Sequence, residues 1–478
     1  MKKILMKENI SRKILIAQLV LYGLLFFSFN NKTFFPAVGL FSLYLFYLLE
    51  DWKKALWLTL VAIFPFGWGL RTFKVEIPLP FYFRSPRQDI LFLHFSITAR
   101  FLISFFLLSV LSFKKKKPLS FDKTDLLLMI FLLLGTVSLF NSSYLELSLI
   151  GFSFIPQAVL AYYVARYFLE DKKLLPLTIQ TLFVLAIFEG FFAIGQFLLK
   201  RPLGRILEEG LMLAPLGKAA AENIFQSRSM GTFTDPNTMA IFWLMLVSLI
   251  LSQIVCKNPL LKRRRFLSLA FLFSLAGLIF TFSRAAWAIF FVVTAVFLFY
   301  LVKKRIFSFK YKSLFWVIAA IFLIASPLLM QRVLSLKLSL WSDYGEHSTL
   351  SSRLDLAKEA VYIISQHPFL GTGPGNFLSA MMVNNFTGVA NHFLYPVHNL
   401  YLLLASELGL PALGCFLIFL LLILKSSLSH AGTEKEFQGI KLGLLMGVFA
   451  YLLAALVYTA DRINFEFFFL MLGILRSL

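Results

Sequence analysis

Charged residues and cysteines are both scarce in this chain. Only 15% of its 478 residues are charged, whereas 59% are hydrophobic and 17% are aromatic. A soluble protein of this length would expose far more polar surface, so the composition excludes a soluble enzyme. The two cysteines, Cys256 and Cys415, lie at or within apolar stretches, which indicates neither a disulfide framework nor a metal site.

The usual metal and nucleotide motifs are also missing. The chain has no Asp-x-Asp pair, no HExxH and no cysteine cluster, so we expect no metal site and no other cofactor. GTGPGNF at 371–377 superficially resembles a phosphate-binding loop but lacks the GK[ST] ending, so nucleotide hydrolysis is not expected. The net charge is +22, yet no compact basic domain exists, which excludes nucleic acid as a partner.

Long apolar runs dominate what remains, and the mean hydropathy is +0.80. A helix needs roughly 20 apolar residues to cross a bilayer. We therefore predict an all-α, polytopic transmembrane helical bundle with about 12–14 spans and a large extracytoplasmic loop that contains short helices. The predicted spans are 14–29, 33–49, 55–70, 90–113, 125–140, 147–169, 175–199, 237–256, 266–282, 285–302, 313–330, 397–424, 442–460 and 465–478.

Basic residues predict the orientation of these spans. The run Ile14–Phe29 lacks a small-residue cleavage site, which indicates a retained span. If the N-terminus is cytoplasmic, most of the 46 Lys and Arg residues fall on the inner side, as the positive-inside rule requires. The chain then divides into N-terminal spans, central spans with an arginine-bearing outer loop, an extracytoplasmic loop and C-terminal spans: 1–199, 200–330, 331–396 and 397–478.

The outer segment 331–396 is far longer than most connections, which is typical of a functional loop. Ser352 and Asp355 have the spacing of a capping box, and His367 followed by Pro368 predicts the end of the helix that they start. Apolar residues at helical spacing share one face of this helix: Leu354, Ala357, Val361 and Ile364. Three glycines then permit tight turns or a close backbone approach: Gly371, Gly373 and Gly375.

Few arginines lie on the predicted outer side, and three of them stand next to polar motifs. These are Arg228 before GTFTDPN, Arg284 in TFSRAAW and Arg353 in the loop helix. A guanidinium group can bind phosphate oxygens in a bidentate manner. The alternative for each is an interfacial cation that reaches towards lipid headgroups. Arg284 fits that alternative least, because Ser283 and Arg284 interrupt an otherwise continuous apolar stretch.

His398 precedes Asn399 where the long loop enters a predicted span. A neutral imidazole there could accept a proton from a hydroxyl group near pH 7, although a hydrogen-bonded boundary histidine is the simpler alternative. Glu407 lies about two and a half helical turns further on, so it either stabilises helix packing or pairs with an arginine of another span. His367 and His392 are compatible with ordinary loop positions.

Three of these segments together resemble the O-antigen ligase and polymerase superfamily. They are TFSRAAW, SSRLDLAKEAVYIISQHPFLGTGPGNF and HNLYLLLASELGLPALG, and RSMGTFTDPNTMA fits the upstream boundary. The resemblance covers about residues 220–425. It implies a membrane glycosyltransferase of the GT-C type, O-antigen ligase-like, that acts on the outer face of the cytoplasmic (inner) membrane. The donor would be a glycan on undecaprenyl diphosphate, and the acceptor a glycan or a lipid-linked glycan.

The resemblance also implies roles for particular residues. His398 matches the family histidine and would orient or deprotonate the acceptor hydroxyl. Arg228 and Arg284 match arginines that bind the diphosphate, and Arg353 matches a further family arginine. The reaction would be metal-independent and invert the anomeric centre. Possible supporting residues are Asn237, Ser283, Asn399, Glu407, Gly373 and Gly375, and possible aromatic lining residues are Phe377, Phe386, Phe393, Tyr395 and Tyr401.

Three other functions stay open at this point. A repeat-unit polymerase for O-antigen or exopolysaccharide would use the same donor and the same cations, and would differ only in its acceptor. A transporter or flippase for lipid-linked glycans could use Arg100 and Arg166, which lie within predicted spans. A structural scaffold would tolerate replacement of the histidine and the arginines.

Overall fold

The computed structural model describes residues 2–27, 31–66, 69–78, 90–114, 121–199, 228–233, 235–256, 260–261, 263–303, 349–391, 393–429, 437–459 and 461–478. The predicted span 313–330 and His392 lie outside these residues.

Seventeen helices, two strands and three short 3₁₀ turns make up the described part of the chain. The first eight helices and both strands are α1 Lys2–Phe27, α2 Asn31–Leu49, α3 Trp52–Ala62, β1 Gly69–Pro78, β2 Ile90–Thr98, α4 Ala99–Lys114, α5 Lys123–Ser138, α6 Leu145–Phe152, α7 Phe154–Phe168 and α8 Leu175–Leu199. The remaining helices are α9 Pro236–Val255, α10 Arg264–Phe280, α11 Arg284–Lys303, α12 Thr349–Gln366, α13 Phe377–Asn384, α14 Leu400–Leu408, α15 Leu410–Ser429, α16 Gln438–Ala454 and α17 Arg462–Ser477.

This architecture confirms the predicted helical class, and the chain is a multi-pass membrane protein. Among the described residues, six helical segments are long and apolar enough to cross a membrane. They are Lys123–Asn141, Leu145–Phe168, Lys172–Leu199, Pro236–Val255, Arg284–Lys303 and Leu410–Leu428. The total of about 12–14 spans stays a prediction, because it includes segments outside the described part.

One β-hairpin interrupts the helices, and the sequence had not predicted it. β1 pairs antiparallel with β2, from Gly69 opposite Thr98 to Pro78 opposite Ile90. The predicted span 55–70 therefore ends its helix at Ala62, and the predicted span 90–113 is helical only from Ala99. Short apolar runs have no periodicity that separates a strand from a buried helix, which explains both errors.

Helix α9 lies at the centre of the bundle, and nearly all of its side chains are buried. It packs along α16, where a Cβ atom on Gly443 would lie 2.2 Å from Ser252 Oγ. α17 packs along α7 equally closely, since a Cβ atom on Gly473 would lie 2.3 Å from the carbonyl oxygen of Tyr162. Small residues therefore allow the closest helix contacts, as is common in membrane bundles.

Both arginines that the sequence places within spans are buried in ion pairs. Arg100 Nε lies 2.8 Å from Glu466 Oε2, and its Nη1 atom donates to the carbonyl of Phe64 at 2.6 Å. Arg166 Nη1 lies 2.7 Å from Asp125 Oδ1. These contacts join helices that are distant in sequence, so the two arginines act as structural links within the bundle.

The loop 331–396, named the outer loop after its predicted side of the membrane, contributes most of a second, smaller core among its described residues. Leu356, Ala360 and Ile363 on α12 are fully buried against α13 and the following turn. The face containing Leu354 and Val361 was predicted to be the apolar one, but both side chains are 57% exposed. The helix starts at Thr349, so Ser352 lies within it instead of capping it. Its end at Gln366, before His367 and Pro368, is confirmed.

The predicted span 397–424 is two helices, α14 and α15, that meet at Gly409. Gly409 has a φ of +88°, and a Cβ atom there would lie 2.1 Å from the carbonyl oxygen of Phe369. Only glycine fits this position without displacing the backbone. The amide of Leu410 donates to the carbonyl of Pro368 at 2.8 Å, so the break is where the outer loop joins the bundle.

Candidate active site

The segment 228–233 enters the bundle just before α9 and sets the position of Arg228. The amide of Ser229 donates to the carbonyl of Phe280 at 2.9 Å. The amides of Met230 and Gly231 both donate to Gln196 Oε1, at 3.0 and 2.9 Å. These bonds hold an irregular segment against α8 and α10 and satisfy backbone groups that water does not reach.

Arg228 is 9% exposed and is held by two hydrogen bonds. Its Nε atom donates to the carbonyl of Thr281, and its Nη2 atom donates to Asn237 Oδ1, both at 2.8 Å. Burial lowers the pKa of Arg228, while Asp235 and Tyr458 oppose that change. A guanidinium group still keeps its charge near neutral pH. Asn237, a predicted supporting residue, thus positions this cation.

Arg284 follows a strained turn between α10 and α11. Phe282 in that turn is fully buried and has a φ of +50°, which is rare for a bulky residue. Arg284 is the first residue of α11, where the helix already carries a positive partial charge. The strained backbone of Phe282 and the cation at the N-terminus of α11 both lower stability. An anionic ligand bound there would offset the unfavourable charge of Arg284.

Arg353 on α12 and His398 before α14 complete the cluster. Arg353 Nε and His398 Nδ1 are both buried, and neither atom has a hydrogen-bond partner among the described residues. Buried polar atoms are normally paired, so each orphan requires an explanation. Arg353 Nε is a hydrogen-bond donor that can bind an anionic ligand. His398 Nδ1 is an imidazole nitrogen that can bind the hydroxyl group of a ligand.

Electrostatics link the four residues. The pKa of His398 is lowered to about 4, first by burial and then by the charge of Arg353, while the carbonyl of Pro396 and the carboxylate of Asp235 act in the opposite direction. His398 is therefore neutral at pH 7. The charges of Arg284 and Arg353 also lower the pKa of Arg228. The three arginines act on one another and form one cationic site, and Arg353 extends it to His398.

Two aromatic side chains flank His398. The ring centroids of Phe393 and Tyr395 lie 6.3 and 6.4 Å from that of His398, and 4.8 Å from each other. Tyr395 is 56% exposed, so this pair has an open face. Among the other predicted lining residues, Phe377 lies in the outer core, and Tyr401 donates its hydroxyl to the carbonyl of Leu452.

Phe386 belongs to a second aromatic pair on the outer loop. Its ring stacks on that of Tyr362, with centroids 4.6 Å apart. The buried carboxylate of Glu359 holds this turn in place, because it accepts hydrogen bonds from the amides of Phe386 and Thr387, at 3.2 and 2.9 Å. The structure therefore ties Phe386 to α12, and gives it no contact with His398.

Asn399 caps α14 and connects it to the chain after α16. Its side-chain oxygen accepts from the amide of Leu402 at 3.0 Å, and its Nδ2 atom donates to the carbonyl of Leu456 at 3.2 Å. These contacts fix the backbone next to His398. A direct contact between Asn399 and a ligand stays a prediction.

Glu407 and the glycines attach the outer loop to the bundle. Glu407 Oε1 accepts from the amide of Phe377 at 3.2 Å, and its carbonyl accepts from the amide of Gly373 at 2.9 Å. Burial raises the pKa of Glu407 to about 7, against the amides of Gly375 and Phe377. A Cβ atom on Gly373 would lie 2.5 Å from Ser148 Oγ. These contacts are structural, and a ligand-binding role for these residues stays a prediction.

One residue near the arginines had escaped the sequence reasoning. Tyr458 follows α16, is buried, and forms a hydrogen bond between its hydroxyl and that of Ser283. Tyr458 also acts electrostatically on Arg228 and Arg284. The only signal in the sequence is the short polar stretch TADRIN that separates two apolar runs. In the described part of the chain, no group of three His, Cys, Asp or Glu side chains could hold a metal ion.

The fold and this cluster define a multi-pass helical membrane protein with a cationic site beside a neutral histidine. Residues 269–417 match the family model described as O-antigen ligase (Wzy_C), which confirms the predicted resemblance for this segment. The match includes Arg284, Arg353 and His398, and leaves out Arg228, Asn237 and the chain after α15. No curated protein matches the chain. The segment 269–417 is thus similar to O-antigen ligases.

Proposed function

We propose that this protein transfers a glycan from undecaprenyl diphosphate to an acceptor hydroxyl group on the outer face of the cytoplasmic membrane, as an O-antigen ligase-like enzyme. One observation carries the proposal. Within and beside the segment that matches the O-antigen ligase family, three arginines form a cationic site that reaches a neutral histidine through Arg353. Neither Arg353 Nε nor His398 Nδ1 has a hydrogen-bond partner among the described residues. A diphosphate and a hydroxyl group complement that set of atoms.

The arginines suit the diphosphate of the donor. Arg228 and Arg284 lie at the end of the bundle where α9 and α11 begin. Charged hydrogen bonds to phosphate oxygens are about twice as strong as neutral ones, and fixed cations stabilise negative charge without reorganisation. The arginines thereby take over the role of a divalent cation, which makes the proposed reaction independent of metal.

His398 suits the acceptor. The acceptor oxygen forms a bond to the anomeric carbon while the bond from that carbon to the diphosphate oxygen breaks. The electron pair of that bond leaves with the diphosphate, and the hydroxyl proton passes to His398 Nδ1. A single displacement of this kind inverts the anomeric centre. With a pKa of about 4, His398 is a weak base in the free protein. Bound diphosphate opposes the charge of Arg353 and so strengthens this base.

The aromatic pair beside His398 suits a sugar ring. Phe393 and Tyr395 offer two tilted aromatic rings beside the His398 ring, and Tyr395 is open to solvent. Both rings can pack their faces against apolar parts of a sugar, and the Tyr395 hydroxyl can also form a hydrogen bond. We therefore place the acceptor glycan over this pair.

Transfer by the purified protein tests the proposal. With a lipid-linked glycan as donor, we expect His398→Ala to reduce kcat about 10²-fold or more, because general-base catalysis contributes about that much. His367→Ala is the matched control, since His367 is exposed at the end of α12. Transfer at the wild-type rate by well-folded His398→Ala would contradict the proposed chemistry.

The product of the reaction distinguishes the proposed ligase from a polymerase and from a transporter. A polymerase extends a lipid-linked repeat unit, whereas a ligase moves the glycan once to a different acceptor, so the size of the product decides between them. A transporter moves the lipid-linked glycan across a vesicle membrane without any transfer. The ion pairs of Arg100 and Arg166 weigh against a transport path through those residues.

A further inference from the structure

The chain after α16 is attached to the His398 side of the site. The amide of Leu400 donates to the carbonyl of Ala455 at 2.8 Å, and Asn399 Nδ2 donates to the carbonyl of Leu456 at 3.2 Å. These bonds fix Ala455 and Leu456, just before Tyr458, against the start of α14. This part of the chain lies outside the segment that matches the O-antigen ligase family.

Tyr458 connects the same stretch to the arginine side. Its hydroxyl shares a hydrogen bond with Ser283 Oγ, next to Arg284. Only 5% of the residue is exposed. Burial raises the pKa of the Tyr458 hydroxyl, while Ser283 and the charges of Arg228 and Arg353 oppose that change. The hydroxyl therefore lies within range of the cations on three separate elements.

Counting hydrogens shows that this pair has a donor to spare. Tyr458 and Ser283 carry one O–H hydrogen each, and the bond between their oxygens uses one of them. The backbone of Ala286 in the first turn of α11 hydrogen-bonds to the Tyr458 oxygen, which uses an acceptor position and no hydroxyl hydrogen. Within the described part of the chain, neither hydroxyl forms another side-chain hydrogen bond, so one hydroxyl hydrogen is left over within electrostatic range of Arg228, Arg284 and Arg353.

We propose that the Tyr458–Ser283 pair donates this hydrogen to a phosphate oxygen of the donor, with Tyr458 as the donating residue and Ser283 as the residue that orients it. A buried O–H donor surrounded by guanidinium groups can be satisfied by an anionic oxygen, and leaving it unpaired is costly. The inference rests on the proposed function, because it assigns a fourth contact to the same diphosphate.

The test measures inhibition of glycan transfer by inorganic pyrophosphate, which stands in for the diphosphate. Tyr458→Phe removes one oxygen and its hydrogen. We expect the inhibition constant for pyrophosphate and the KM for the donor to rise about tenfold or more, while the KM for the acceptor stays unchanged. Tyr451→Phe is the matched control: Tyr451 is equally buried on α16, and its ring stacks on Phe468 at 4.1 Å.

A Tyr458→Phe variant that transfers glycan and is inhibited by pyrophosphate like the wild type would overturn the inference. Equal weakening in Tyr451→Phe would also overturn it, because the hydroxyl would then matter only for packing. If Tyr458→Phe does not fold, Ser283→Ala takes its place, with a smaller rise in both constants expected and no rise as the contrary result. Wild-type protein that transfers no glycan would instead refute the proposed function, so the two failures are distinguishable.

Discussion

The pKa of His398 offers the sharpest prediction, because the structure names the groups that set it. The pKa is lowered to about 4, by burial first and by Arg353 second. Arg353→Gln removes the charge and keeps a polar side chain on α12. Since burial is the larger cause, we expect the pKa of His398 to rise but to stay below the ordinary value of 6.5.

The pH dependence of transfer measures this change. In the proposed reaction His398 acts only when neutral, so activity should fall as the pH decreases through its pKa. The acid limb of kcat/KM reports the free protein and kcat reports the loaded protein. In the wild type we expect the limb of kcat/KM near pH 4, and that of kcat at a higher pH, since bound diphosphate opposes the charge of Arg353. We expect Arg353→Gln to move the acid limb of kcat/KM to higher pH. The difference in pH between the acid limbs of kcat/KM and kcat should then become smaller.

Lys358→Gln is the matched control for this experiment. Lys358 lies on the same helix, its side chain is 66% exposed, and it pairs with Asp355 at 2.9 Å. We expect it to leave both limbs in place, because an exposed charge is screened by solvent. The reasoning is refuted if Arg353→Gln leaves the acid limb of kcat/KM unchanged, or if Lys358→Gln moves it as far.

Three further predictions concern the donor, the acceptor and the fold. Arg284→Lys keeps a charge but loses the bidentate geometry, so the KM for the donor should rise about tenfold, and less than in Arg284→Ala; equal values for both variants would contradict a geometric role. Tyr395→Ala should raise the KM for the acceptor several-fold and leave the inhibition constant for pyrophosphate unchanged. Tyr362→Ala, in the aromatic pair with Phe386, is the control and should change neither the KM for the acceptor nor that inhibition constant. Gly409→Ala should lower the free energy of unfolding by at least about 2 kcal/mol, because its Cβ atom would meet the Phe369 carbonyl. The change is measured as a lower Tm in detergent. Gly414→Ala is the control, since the space around Gly414 is open.

The long apolar runs in the sequence predicted the helical class and most of the bundle helices. Length and apolarity of each run determine whether it can form a spanning helix, so the class follows from composition. Arg284 was predicted as a site residue because a cation at the predicted outer end of an apolar run is unusual, and its role stays a prediction. His367 and Pro368 end α12 as predicted, since the residue before a proline disfavours the helical conformation.

The features that the sequence did not predict correctly depend on tertiary contacts. The break at Gly409 exists because the carbonyl of Phe369 occupies the space of a side chain, a contact that local spacing does not reveal. The buried face of α12 holds Leu356 and Ile363, because α13 covers that side, and the helix extends one turn before Ser352. Tyr458 resembled any tyrosine near the end of a span until the structure showed it next to Ser283.

The fate of the donor in one turnover shows whether the protein transfers glycan from undecaprenyl diphosphate by a single displacement. Purified wild-type protein is mixed with limiting lipid-linked glycan and acceptor, and the transferred glycan and the released undecaprenyl diphosphate are both measured. The account predicts that the two appear in equal amounts, with the anomeric configuration inverted and with chelator present, and that His398→Ala abolishes both while His367→Ala preserves them. Retention of configuration, or full turnover by His398→Ala, would contradict the account.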